Sequence, residues 1–89
     1  MSPFRILVVD DEPDIRKVVA LSLNRDPAFT VRTCATGQEG IEEAADWSPN
    51  LILLDVMMPT LDGPATLALL RQDPATERIP VVFLTARAG

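Results

Sequence analysis

The sequence predicts an α/β domain built on a parallel sheet with helices on both faces. Short runs of apolar, largely β-branched residues recur without polar alternation, as in strands that are buried on both faces. Segments with apolar residues at helical spacing separate these runs, and proline-containing sequences mark the breaks. This alternation of strands and helices favours a parallel sheet with right-handed crossovers.

Four segments have the character of strands. Three of them are continuous apolar runs, at residues 5–9, 51–54 and 81–84. The fourth, residues 29–33, alternates apolar and polar side chains, which favours a strand nearer the edge of the sheet.

Three helices are predicted between these strands. The first follows Pro13 and is expected to direct one face inward, formed by Ile15, Val18, Val19, Ser22 and Leu23. Residues 37–45 form the second helix, in which Gly40 costs about 1 kcal/mol relative to alanine. The third covers residues 64–71 and directs Leu67 and Leu70 inward.

Composition excludes several function classes. The chain has 89 residues, which suits one domain, and its net charge of −5 argues against a nucleic-acid surface. It has no histidine, and Cys34 is the only cysteine, so His-ligated or Cys-clustered metals and intrachain disulfides are excluded. No apolar run approaches the ~20 residues that span a bilayer, and no signal peptide is evident. We therefore expect a cytoplasmic protein without a membrane partner.

Acidic residues follow two of the buried runs, and a hydroxyl follows a third. Asp10 and Asp11 come after the first run, Asp55 after the next and Thr85 after the last. Each acid alone is compatible with a solvated turn or a helix cap. Because parallel strands present their carboxyl ends at one edge of the sheet, the joint arrangement favours a site. Carboxylates crowded there need a hard cation such as Mg²⁺ or Mn²⁺.

Several motifs resemble those of bacterial response-regulator receiver domains. Residues 6–12 (ILVVDDE) resemble the family's opening, and residues 51–59 (LILLDVMMP) resemble its phosphoacceptor strand and loop. Residues 61–63 (LDG) and 82–86 (VFLTA) are similar to two later motifs, and residues 35–40 to the start of the second helix. The motifs occur in the family's order along most of the chain.

The resemblance implies a flavodoxin-like three-layer sandwich with strand order 2-1-3-4. It implies that Asp55 is the phosphoacceptor and that Thr85 contacts the phosphoryl group as a switch residue. Asp10, Asp11, Asp55 and the backbone carbonyl of Met57 would hold Mg²⁺ or Mn²⁺. The implied donor is a sensor histidine kinase or a phosphotransfer protein, and the domain would accept a phosphoryl group without turning over a substrate, so it is not expected to be an enzyme.

The loop after Asp55 carries further expectations. Pro59 is expected to stiffen it and Gly63 to supply backbone freedom. Asp62 resembles a structural acid of the family, and capping of the third helix explains it adequately.

The resemblance runs from about Arg5 to Ala86. The family's last helix, strand and helix, with a lysine that pairs with the phosphoryl group, have no counterpart, so residues 1–89 are expected to be a single, incomplete receiver domain. The run at residues 81–84 would then be an apolar edge strand, through which a homodimer could pair.

Two alternatives stay open at this point. A haloacid-dehalogenase-like phosphotransferase also uses an aspartate at the end of a strand, but it needs a second aspartate two residues later, where this chain has Met57. A pseudo-receiver that only binds partners is suggested by the missing lysine.

Overall fold

The computed structural model describes residues 3–84, which form four strands and three helices. The elements are β1 (Phe4–Val9), α1 (Pro13–Leu23), β2 (Phe29–Cys34), α2 (Gly37–Trp47), β3 (Leu51–Asp55), α3 (Gly63–Gln72) and β4 (Val81–Leu84). All strand pairs are parallel, in the order β2-β1-β3-β4. The predicted sheet and its strand order are therefore confirmed.

Side-chain caps set the beginnings of two helices. The Thr36 hydroxyl accepts a hydrogen bond from the Glu39 amide at 3.0 Å, so α2 begins at Gly37 as predicted. The Asp62 carboxylate accepts from the Ala65 amide at 2.9 Å, and α3 begins at Gly63, one residue before the predicted start. The predicted capping role of Asp62 is confirmed.

The end of α2 lies two residues beyond the predicted end. The helix continues through Trp47 and stops where Ser48 adopts a left-handed conformation, with a φ of 52°. The Ser48 amide still donates to the Ala44 carbonyl at 3.0 Å, which closes the last turn. Helical periodicity alone does not reveal this turn.

The main core lies between the sheet and helices α2 and α3. Its buried members come from the strands β1, β2 and β3, from both helices and from the loop after β3: Leu7, Val9, Cys34, Ala44, Ile52, Leu54, Met58 and Leu70. Gly40 explains how closely α2 lies on β1, because a Cβ there would stand 2.8 Å from a methyl group of Val9. The residue that weakens the helix therefore permits the packing, which its propensity does not predict.

Helix α1 contacts β1 and β2 and is much less buried. None of its residues is buried, and Val18 is 60% exposed. The predicted inward face of α1 is therefore wrong at Val18 and at Ser22, which is also exposed. Ile15, Val19 and Leu23 are half-buried, because within residues 3–84 the helix touches only two strands.

Strand β4 lies at one edge of the sheet. Within residues 3–84 it pairs with β3 alone, and Val82 is 52% exposed. No helix in this part of the chain is long and apolar enough to cross a membrane.

Candidate functional site

Three carboxylates meet at the carboxyl end of the sheet. Asp55 is the last residue of β3, and Asp10 and Asp11 follow β1. The two strands are paired with Val9 opposite Leu54, so their ends lie side by side. One oxygen from each of the three aspartates lies within 4.8 Å of the other two. The structure thus brings together the acids that the strand pattern predicted to be neighbours.

Asp10 is almost fully buried and is held by both its side chain and its main chain. Its Oδ1 accepts a hydrogen bond from the Glu12 amide at 2.9 Å, which closes the turn between β1 and α1. Its own amide donates to the Cys34 carbonyl at 3.1 Å, and its carbonyl accepts from Arg16 Nη1 at 2.8 Å. No sequence signal identifies the contribution of Arg16, because it depends on the path of the side chain.

Asp11 carries an unsatisfied oxygen. Its Oδ1 is buried and has no hydrogen-bond partner within residues 3–84. A buried carboxylate oxygen without a partner is unfavourable, because it has lost its hydrogen bonds to water and accepts none from the protein. A cation between the three aspartates would remove this penalty, so the donor set fits a hard metal ion.

Asp55 is 7% exposed, and its Oδ1 accepts a hydrogen bond from the Met57 amide at 3.3 Å. Burial raises the pKa of Asp55, and the negative charges of Asp10 and Asp11 raise it further. The Met57 amide opposes this by stabilising the ionised form. A cation bound beside Asp55 would therefore stabilise its ionised form.

The loop after β3 is closed by Gly63. Its amide donates to the Val56 carbonyl at 2.9 Å. A Cβ at Gly63 would lie 2.8 Å from Val56 Cα and closer still to the Asp55 carbonyl oxygen. The φ of Gly63 is not in the left-handed region, so the expectation that it supplies backbone freedom is wrong. Glycine is needed here for space beside the end of β3.

A tight turn lies at the tip of this loop. The Leu61 amide donates to the Pro59 carbonyl at 2.7 Å, across a single residue, Thr60. Thr60 has a φ of 69°, a conformation that β-branched residues rarely adopt. The sequence predicted a stiff loop at Pro59 but not a left-handed threonine, since threonine disfavours that conformation.

The other two residues predicted for the site are Met57 and Thr85. The side chain of Met57 is 61% exposed, and Met57 lines a surface cavity of about 350 Å³ together with Met58, Pro59 and Asp62. Thr85 lies outside the described residues, directly after Leu84, which is paired with Asp55.

The chemistry of the cluster is that of oxygen donors alone. Carboxylate oxygens suit Mg²⁺, Mn²⁺ or Ca²⁺ rather than softer metals. Cys34 does not alter this, because burial, with the charges of Glu43 and Glu39, raises the pKa of its thiol to about 11 against the opposing charge of Arg16. The thiol therefore stays protonated and behaves as a small core residue, as predicted.

Comparisons with known proteins agree on one family. The sequence profile of the response regulator receiver domain matches residues 6–89. Response regulator Rre1 of Synechocystis is 40% identical over 85 residues, which cover 96% of this chain and 37% of the relative. A protein-glutamate methylesterase/protein-glutamine glutaminase of Methanosarcina acetivorans is 43% identical over 83 residues, 92% of this chain and 22% of the relative.

Solved structures give the same result. The N-terminal domain of a response regulator receiver protein from Methanoculleus marisnigri has a TM-score of 0.88 at 42% identity, over 96% of this chain and 68% of that one. The chain thus spans about a fifth to two fifths of the two curated relatives' length. The matches support a phosphoacceptor role in two-component signalling and do not favour a haloacid-dehalogenase-like enzyme. The chain belongs to the response regulator receiver domain family.

Proposed function

We propose that Asp55 accepts a phosphoryl group from a phosphorylated partner, with Mg²⁺ or Mn²⁺ held by Asp10, Asp11 and Asp55. The observation that supports this most directly is the meeting of three carboxylates within 4.8 Å, one of them with a buried oxygen that has no partner among residues 3–84. Family membership supplies the reaction class.

The nucleophile is the ionised carboxylate of Asp55. One of its oxygens forms a bond to phosphorus while the bond from phosphorus to the donor breaks, which leaves an acyl phosphate on Asp55 and returns the leaving group to the partner. The raised pKa of Asp55 opposes ionisation, and the Met57 amide and a bound cation favour it. When bound, the cation also offsets repulsion between the carboxylates and the anionic phosphoryl group.

Two further roles belong to this proposal. The backbone carbonyl of Met57 would add an oxygen ligand, since Met57 is two residues from Asp55 in the same loop. The hydroxyl of Thr85 would contact the phosphoryl group and act as the switch, since it follows the residue paired with Asp55.

The partners follow from the reaction. The donor would be a sensor histidine kinase or a phosphotransfer protein in the cytoplasm, and residues 1–89 would act as a single receiver unit that is modified and has no substrate turnover of its own. The prediction of a homodimer through residues 81–84 is supported by the open edge of β4 within the described residues. The expectation of no nucleic-acid or membrane partner stays a prediction.

A titration with Mg²⁺, followed by backbone amide NMR shifts, tests the metal assignment. We expect Asp11→Ala to weaken binding by about tenfold or more, because it removes the buried oxygen that lacks a partner in the described part of the chain. The matched control is Asp14→Ala, which removes an exposed acid three residues away in the first turn of α1. Equal affinities of wild type and Asp11→Ala would contradict the assignment.

A phosphodonor such as acetyl phosphate tests the acceptor function. With Mg²⁺ present, intact-mass measurement should show one added phosphoryl group on the wild type and none on Asp55→Asn. Asp62→Asn is the control, because Asp62 is a helix cap that lies outside the cluster. Equal labelling of wild type and Asp55→Asn would contradict the proposal.

A further inference from the structure

The turn between β1 and α1 carries two of the three clustered carboxylates, so its main-chain path decides where they point. The turn is short: Val9 ends the strand and Pro13 begins the helix. Proline has no amide hydrogen to donate to the turn. The position of Asp10 and Asp11 therefore depends on few hydrogen bonds.

Arg16 supplies one of these bonds. Its Nη1 donates to the Asp10 carbonyl at 2.8 Å, in a partly buried setting. Within residues 3–84 no backbone amide donates to this carbonyl. Asp10 is 1% exposed, so water does not substitute freely for the guanidinium.

The position of Arg16 on α1 explains its reach. It is the fourth residue of the helix, and long helical side chains lean toward the N-terminus of their helix. The side chain of Arg16 thus runs back over the first turn to the end of β1. Lys17, the next residue, is exposed and carries the same charge, so it provides a control position for Arg16.

Arg16 binds a main-chain oxygen rather than a carboxylate of the cluster. Within residues 3–84 the one salt bridge joins Arg32 and Glu43, so Arg16 is not paired with Asp10, Asp11 or Asp55. The carboxylate oxygens are therefore left for a cation, while the rigid guanidinium fixes the turn that bears them.

We propose that Arg16 is a positioning residue for the divalent cation: by holding the Asp10 carbonyl, it keeps the carboxylates of Asp10 and Asp11 directed at Asp55. This inference rests on the proposed function and deepens it. Without the guanidinium, the turn adopts several main-chain conformations, and only one of them binds the cation. Binding then has to select this conformation, which lowers the affinity for the cation. The effect falls on metal affinity and not on the chemistry of Asp55.

The test compares Arg16→Met with Lys17→Met. Both remove one positive charge and keep an unbranched side chain, but only the first removes a contact to the turn. Mg²⁺ is titrated into each protein and followed by amide NMR shifts, and thermal melts without metal report the fold. We expect Arg16→Met to weaken Mg²⁺ binding by about tenfold, as loss of an orienting contact does, and Lys17→Met to leave it unchanged.

A kinetic readout separates positioning from loss of fold. With acetyl phosphate, Arg16→Met should need more Mg²⁺ to reach half its maximal labelling rate, while the rate at saturating Mg²⁺ should match the wild type. Affinity equal to the wild type in a folded Arg16→Met would overturn the proposal, and so would equal weakening by Lys17→Met. If Arg16→Met does not fold, Arg16→Gln takes its place, since its side chain is uncharged and two atoms shorter, and wild-type affinity there overturns the proposal.

These outcomes are distinct from a failure of the proposed function. If the wild type binds Mg²⁺ and is labelled at Asp55 while the Arg16 variants behave like it, only the positioning role is wrong. If the wild type neither binds Mg²⁺ nor takes up a phosphoryl group, the proposed function fails and the positioning role fails with it.

Discussion

The two faces of the sheet differ in how they are packed. On the face covered by α2 and α3, Leu7 and Leu54 are fully buried and Leu70 is 1% exposed. On the face covered by α1, Val18 and Leu21 are 60% and 61% exposed, and no residue of the helix is buried. Both helical layers have an apolar stripe in the sequence. The comparison shows that a stripe identifies the apolar side of a helix, while burial depends on what packs against it.

The candidate site lies toward the loosely packed face. Strand alternation places Leu54 in the α2/α3 core and Asp55 on the opposite face. Hydrogen bonds from the Glu12 amide, Arg16 and the Met57 amide hold the site. Asp10 and Asp55 are buried there, at 1% and 7% exposed, although α1 itself has no buried residue.

The contrast between the faces predicts the largest effect on stability. Leu7→Ala should lower the free energy of unfolding by about 2–5 kcal/mol, because it leaves a cavity in the close-packed core. Val18→Ala should change it by about 0.5 kcal/mol or less, because its side chain is already in water. Chemical denaturation measures both, and equal losses would contradict the difference in burial between the two side chains.

Two glycines offer a sharper comparison within the α2/α3 side. Gly63→Ala should lose about 1–3 kcal/mol, because the new methyl group meets the backbone of Asp55 and Val56. Gly40→Ala should lose less, because it meets a methyl group of Val9, and because alanine returns about 1 kcal/mol of helix propensity. Thermal or chemical denaturation measures the loss of stability in each variant. A larger loss in Gly40→Ala would show that Val9 is the less adaptable neighbour.

The pH dependence of stability tests the electrostatics of the site. Burial raises the pKa of Asp55, so the folded protein binds that proton more tightly than the unfolded chain does. The stabilising effect of the proton is complete below the unfolded pKa and is lost as the pH rises through the folded pKa. Without divalent cations, Asp55→Asn should therefore melt at a higher temperature than the wild type near neutral pH. The difference should shrink as the pH falls toward about 4.

Melting curves with and without Mg²⁺ complete this test. Added Mg²⁺ should raise the melting temperature of the wild type and have little effect on Asp55→Asn. A melting difference without Mg²⁺ that stays constant with pH would show that Asp55 is not destabilised by its charge.

The open edge of β4 carries the smallest expected effect. If two copies pair through residues 81–84, Val82→Lys should shift the 89-residue chain toward monomer, since lysine on an edge strand opposes pairing. Val82 is already 52% exposed, so the substitution should leave the melting temperature of the monomer nearly unchanged. Light scattering at several concentrations measures the association. Equal masses for wild type and variant would exclude pairing through this edge.

The sequence predicted the sheet because three of its strands are continuous apolar runs and the fourth alternates, and the strand ends lie within one residue of their predicted positions. It also predicted that Asp10, Asp11 and Asp55 would meet, since strand ends determine this. Features that depend on contacts between segments could not be predicted from the sequence. The sequence does not say that Gly40 faces Val9, or that α1 covers only part of its side of the sheet.

The same limit applies to the finer structure of the site. The path of the Arg16 side chain and the unpaired oxygen of Asp11 follow from three-dimensional contacts, not from residue type. Gly63 was predicted at the right place for the wrong reason, since crowding and not dihedral freedom requires it. Sequence patterns locate such a site, and the structure determines how it is held.

We propose that Asp55, and neither of the other two clustered carboxylates, is the nucleophile. The position of the phosphoryl group in the labelled protein distinguishes these residues. The protein is labelled with acetyl phosphate and Mg²⁺, the acyl phosphate is reduced with borohydride to an alcohol, and peptide mass spectrometry locates the converted residue. We expect conversion at Asp55 in the wild type and none when Mg²⁺ is removed by a chelator. Conversion at Asp10 or Asp11, or at Asp55 regardless of Mg²⁺, would contradict it.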